Sequence, residues 1–138
     1  MKRGVLGVAV VILLMGCGQD HYAQWKNLDV VYASQVPIFP GAEVEDAMGG
    51  NYYGESLDEH VSESISYFFK IEPKDYDKMV AFYDKELPNA QRTVNEDGEV
   101  RFELVPKGAE SGEKVWVMIS KDRLRIGEET KPGKHKES

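Results

Sequence analysis

The chain has 138 residues, enough for one domain, with 24 acidic against 17 basic residues and a net charge of −7. That balance excludes nucleic acid as a partner, because such affinity comes from Lys and Arg neutralising phosphates. A single cysteine excludes an internal disulfide and any paired-cysteine redox or metal site, while 2 Trp, 7 Tyr and 5 Phe residues favour a packed core over disorder.

Lys2 and Arg3 precede an apolar run from Val5 to Met15, 11 residues interrupted only by Gly7. The run is shorter than the ~20 residues of a spanning helix. With Gly16 as the small residue before Cys17, residues 1–16 read as a signal peptide that is removed. Leu14-Met15-Gly16-Cys17 resembles the lipobox of bacterial lipoproteins. The resemblance implies signal-peptidase recognition through Leu14 and Gly16, cleavage before Cys17, diacylglycerol on the Cys17 thiol and often a third acyl chain on the new amine. Two or more chains anchor stably where one holds only marginally. Cleavage removes two of the 17 basic residues and none of the 24 acidic ones. Lipid, not a basic surface, must then hold the protein to a membrane. Gly18 is not the aspartate that retains lipoproteins at the inner membrane of enteric-type bacteria. In a two-membrane cell the resemblance therefore implies the outer membrane, facing the periplasm.

Residues 17–35 read as a lipid-anchored tether. Tyr22, Trp25, Leu28, Val31 and Tyr32 recur at helical spacing and predict a short amphipathic helix. This helix either packs on the domain or sets Tyr22 and Trp25 at the membrane interface. The domain proper spans 36–127. Its entry, Val36-Pro37-Ile38-Phe39-Pro40-Gly41-Ala42, is extended and then turns. Pro37-Ile38-Phe39-Pro40-Gly41-Ala42, together with Val80-Ala81-Phe82-Tyr83, resembles a family of small bacterial envelope proteins. The likeness implies a β-rich region followed by a helix carrying a phenylalanine-tyrosine pair, and it brings no catalytic residues. Ala90-Gln91 stands where those proteins often have glycine-tryptophan.

Glu43 to Met48 predicts a strand, and the glycines at 49, 50 and 54 a loop running through Asp58-Glu59-His60. Val61, Ile65, Tyr67, Phe69 and Ile71 then alternate as a half-buried strand. Pro73 and Asp75 open a helix whose stripe is Tyr76, Met79, Val80, Tyr83 and Leu87, and Pro88 stops it. Gln91–Val94, Val100–Leu104, Val115–Ser120 and Leu124–Ile126 predict a meander, with a hairpin at Asn95-Glu96-Asp97-Gly98. Residues 128–138 read as a charged, disordered tail. The fold class expected is α+β: a mainly antiparallel, twisted sheet of five or six strands with one principal helix packed on one face.

Glu59, His60 and Glu63 are the nearest approach to a metal or acid–base cluster, and they read as a solvated acidic loop, with His21 and His135 in flexible segments. Glu43, Glu45 and Asp46 are paired carboxylates of the kind a hydrolase uses, but acidic residues are common here. No cofactor, metal or catalytic residue is expected. Tyr52, Tyr53, Phe68, Trp116 and Met118 are the candidate binding patch, being aromatic or apolar residues beside flexible loops or opposite the core register. The function expected is a lipid-anchored, non-enzymatic binding or adaptor module of the cell envelope, contacting the membrane through Cys17 and an envelope protein through this patch. The alternatives are an envelope hydrolase using carboxylates in the 43–63 region and a structural accessory subunit of an envelope complex.

Overall fold

The computed structural model describes residues 21–55 and 59–135. Leu14, Gly16 and Cys17 lie outside them. In chain order the elements are α1 (Tyr22–Trp25), a 3-10 turn (Ala33–Gln35), β1 (Glu43–Tyr53), β2 (His60–Lys70), a second 3-10 turn (Pro73–Asp75), α2 (Tyr76–Glu86), β3 (Gln91–Val94), β4 (Val100–Leu104), β5 (Lys114–Ser120) and β6 (Arg123–Thr130). The strands form one antiparallel sheet in the order β1-β2-β6-β5-β4-β3, so the expected α+β class holds. The long connection from β2 to β3 runs through α2. It carries the chain to the far edge and lays the helix over one face.

Alternation along the strands divides the sheet into two faces. Tyr67, Phe69, Phe102, Val117, Leu124 and Ile126 lie inward and are buried. Two pieces of chain cover them. Trp25 is fully buried, edge-to-face on Tyr67 and Phe69 with centroids 6.1 and 5.9 Å away, and its Nε1 donates to the Val36 carbonyl at 2.9 Å. On the other half, Met79 and Tyr83 of α2 are fully buried, and Tyr83 meets Phe102 at 6.2 Å. The Tyr83 hydroxyl donates to the Pro37 carbonyl at 2.8 Å and accepts from the Phe39 N–H at 3.0 Å. Burial pushes that hydroxyl far above the usual tyrosine range. Phe39 and Phe82 meet edge-to-face at 5.5 Å. The proline-rich entry and the phenylalanine-tyrosine pair of the helix therefore hold one another.

Turn chemistry follows the residues. At the β3–β4 hairpin Asn95 Oδ1 accepts the N–H groups of Asp97 and Glu99, and Gly98 takes φ +84°, a conformation side chains disfavour. The Tyr76 hydroxyl donates to the Gly98 carbonyl, pinning the helix start to the hairpin tip.

Four expectations are corrected. The domain begins before residue 36, because Trp25, Tyr32 and Ala33 belong to its core; Trp25 is thus no interfacial ring. The helix there has four residues, Tyr22–Trp25, and the chain turns after it. The first strand continues through Gly49-Gly50-Asn51-Tyr52-Tyr53, since pairing with β2 supplies the order that glycine propensity withholds. Residues 128–130 extend β6, and Lys131–His135 folds back on the sheet end because its charges find buried partners. Residues 136–138 of that expected tail lie outside the described residues.

Candidate functional site

The outer face of the sheet carries the predicted patch in altered form. Phe68 of β2, Trp116 and Met118 of β5, and Arg101, Arg123 and Arg125 of β4 and β6 all point outward. Phe68 is half-buried between two guanidinium groups, with Arg123 5.3 Å and Arg125 5.0 Å from its ring centre. Arg101 lies 5.8 Å from the Trp116 ring centre and touches Met118 Sδ at 3.5 Å. Trp116 itself is only 8% exposed. Its indole packs against Gly127, where a Cβ would come within 2.6 Å of Cζ2 and 2.8 Å of Ser66 Cβ. Trp116 is therefore the floor of the patch and not an exposed contact, which corrects the expectation. A hollow of about 330 Å³ opens between Phe68, Met118, Ser120, Arg123 and Arg125, and the acidic Glu99 and Asp122 also line it.

Tyr52 and Tyr53 separate from the other three. Tyr52 faces outward at the sheet edge, 54% exposed. Tyr53 follows a register irregularity and stacks on His60 at 5.1 Å. The arginines were missed as site residues, although strand parity already put Arg123 and Arg125 in phase with the outward side. Chemically, a guanidinium stacked on a ring keeps its edge N–H donors free for carboxylate or phosphate. Arg125 spends Nε on Ser66 Oγ at 3.1 Å, Arg101 reaches Glu103 at 3.1 Å, and Arg123 stands 4.0 Å from Glu45.

A second cluster lies at the inner end of β6. The Glu128 carboxylate is fully buried and accepts three successive backbone N–H groups, from Val31, Tyr32 and Ala33, at 2.7–2.8 Å. Such a run of amides is an anion nest, which is how a charge survives there. His135 Nε2 meets Glu128 at 2.6 Å and its Nδ1 meets Glu63 at 3.3 Å. The hydrogen bond to Glu128 raises the His135 pKa above its ordinary value, against desolvation by burial. Glu113 sits nearby, 2% exposed. Burial pushes its carboxyl up, but the Lys131 and Glu110 amides, the Lys134 ammonium and the Tyr32 hydroxyl outweigh burial and hold it at about 2. Lys134 also bonds Glu110 at 2.7 Å, and these contacts raise its pKa.

The carboxylates proposed for hydrolysis do not gather. Glu43, Glu45, Asp46 and Glu59 are exposed, while Glu63 is buried with His135. Glu59, His60 and Glu63 are thus not one solvated loop: His60 and Glu63 belong to β2, and His60 Nε2 stops 3.7 Å from Glu63. His135 likewise is no flexible residue, and His21 donates its N–H to Ser34 at 2.7 Å. Among the described residues no group of three His, Cys, Asp or Glu is placed to hold a metal. None of the described helices is long and apolar enough to cross a membrane.

Comparison of the chain with protein-family models, curated proteins and solved structures found no match.

Proposed function

We propose that the protein is a lipid-anchored, non-enzymatic binding or adaptor module of the cell envelope, and that the outer sheet face is its contact surface. The anchor is Cys17, and Gly18, in place of a retaining aspartate, favours the outer membrane of a two-membrane cell, facing the periplasm. The partner fitting this surface is an envelope protein presenting acidic and apolar side chains together. The observation that carries the reading is Phe68 between Arg123 and Arg125 on a chain of net charge −7. On this outer face three arginines stand against the rings of Phe68 and Trp116, and aromatic and arginine side chains are the ones that recur at binding hot spots. The dispersal of Glu43, Glu45, Asp46 and Glu59 supports binding over hydrolysis, which needs two groups flanking one bond.

The test is capture from detergent-solubilised envelope with the full chain and with Arg123→Glu/Arg125→Glu. The reading expects one protein to be retained by the wild type and lost from the double variant, with Arg92→Glu on the other face as control. Equal retention by all three, or recovery of the chain alone, contradicts it. The anchor has its own test: Cys17→Ser should abolish incorporation of labelled palmitate, and retained label contradicts the lipobox assignment.

A further inference from the structure

The two edges of the sheet are built differently. β3 has four residues, and its Arg92 is paired with Asp84 at 2.8 Å, so this edge is short and charged, as edges that avoid pairing are. β1 has eleven residues, all exposed, and among the described residues it pairs with β2 alone. Its second half, Ala47 to Tyr53, holds no charged residue. One row of its backbone N–H and C=O groups has no strand partner among the described residues, and this is the condition under which a sheet adds a strand.

We propose that β1 pairs with β1 of a second copy of this chain, antiparallel and about a two-fold axis through Gly50. The pattern of residues selects that occupant and that register. In one continuous sheet, residues directly opposite must share a face, so the axis passes through a residue and not between two. In β1, Met48 and Tyr52 face outward opposite Ser66 and Ser62. An axis through Gly50 sets Met48 against Tyr52 twice, joining side chains that are 58% and 54% exposed. It also leaves Glu43, Glu45 and Asp46 outside the paired stretch, so the acidic half of each strand does not meet its copy. An axis through Gly49 would put Asp46 against Tyr52 and Met48 against glycine, and wastes both. Glycine at the axis suits close backbone approach. The proposal is independent of the outer-face binding surface, and the joined sheet would place two such surfaces side by side.

The test uses the full chain in host membranes with a cysteine introduced on the axis. Directly opposed antiparallel residues have Cα atoms about 4.5–5.5 Å apart, within disulfide range. Gly50→Cys should therefore give a band of twice the chain mass under mild oxidation, whereas the unsubstituted chain, with only Cys17, and Thr93→Cys on the β3 edge should not. Adding Met48→Glu and Tyr52→Glu to Gly50→Cys places like charges opposite one another and should cut the band roughly fivefold or more. Met48→Glu with Tyr52→Lys should restore it. No doubled band with Gly50→Cys, a band as strong with Thr93→Cys, a band insensitive to the two acidic substitutions, or cross-linking to a different protein would each overturn the proposal. All these side chains are exposed, so an unchanged melting temperature separates lost pairing from lost folding.

Discussion

The two faces of the sheet are written in alternate residues of the same strands, yet they obey different chemistry. Tyr67 and Phe69 turn inward beneath Trp25 and are closed by packing. Phe68, between them in sequence, turns outward and is flanked by the guanidinium groups of Arg123 and Arg125. Inward charges are also treated differently: Glu128, Glu113 and Glu63 are buried and matched by amides, His135 and Lys134, while the outward arginines retain donors. The contrast teaches that burial on the inner face is a matter of stability. On the outer face the same residue classes are left available.

Substitutions should separate the two. Trp25→Ala removes a fully buried ring and its hydrogen bond to Val36, and should cost about 3–5 kcal/mol in urea unfolding. Glu128→Gln leaves His135 without its closest carboxylate and part of the nest without an acceptor; about 3 kcal/mol is expected by the same measurement. Gly127→Ala forces a Cβ against Trp116 from the outer side and should cost about 1–3 kcal/mol. Phe68→Ala should cost less, about 1 kcal/mol or below, because the ring is only half-buried, while abolishing partner capture. A large loss of stability with Phe68→Ala would erase the distinction between the faces.

Acid and base probe the inner face through His135 and Glu113. The His135 pKa is raised by folding, so its stabilisation is complete below the unfolded value of 6.5 and is lost as pH climbs through the higher folded value. Glu113 behaves oppositely. Held at about 2 against an ordinary 4.5, it stabilises above 4.5 and loses that contribution as pH falls from 4.5 toward 2. The urea midpoint should therefore decline on both sides of a plateau, and His135→Gln should remove the alkaline decline. A midpoint that His135→Gln leaves with the same alkaline slope would place the titration elsewhere.

Much of this was legible in the residues. Alternation at Tyr67, Phe69 and Ile71, at Val100 and Phe102, and at Val115, Val117 and Ile119 marked three strands and their inward sides. The stripe of Met79 and Tyr83 marked the helix. Two things were not legible. β1 lies at an edge with every residue exposed, so it has no buried side to produce alternation, and Gly49-Gly50 speaks locally for a loop. The segment from Glu128 to His135 looks like solvated charge because its partners, Val31 to Ala33 and Glu63, lie far away in the chain; only the assembled fold reveals the pairing. The outer patch was half legible. Parity placed Phe68 and Trp116 outward, but an arginine beside an aromatic residue across strands cannot be read without the register.

The central claim, that the outer face is occupied by a partner in the envelope, is open to one direct measurement. Arginine-specific labelling of the full chain, read residue by residue by mass spectrometry, compares intact envelope with protein purified in detergent. The account predicts that Arg123 and Arg125, with Arg101 beside them, react slowly in the envelope and faster once purified, while Arg92 on the β3 edge reacts equally in both. Equal reactivity of Arg123 and Arg125 in the two preparations would contradict it.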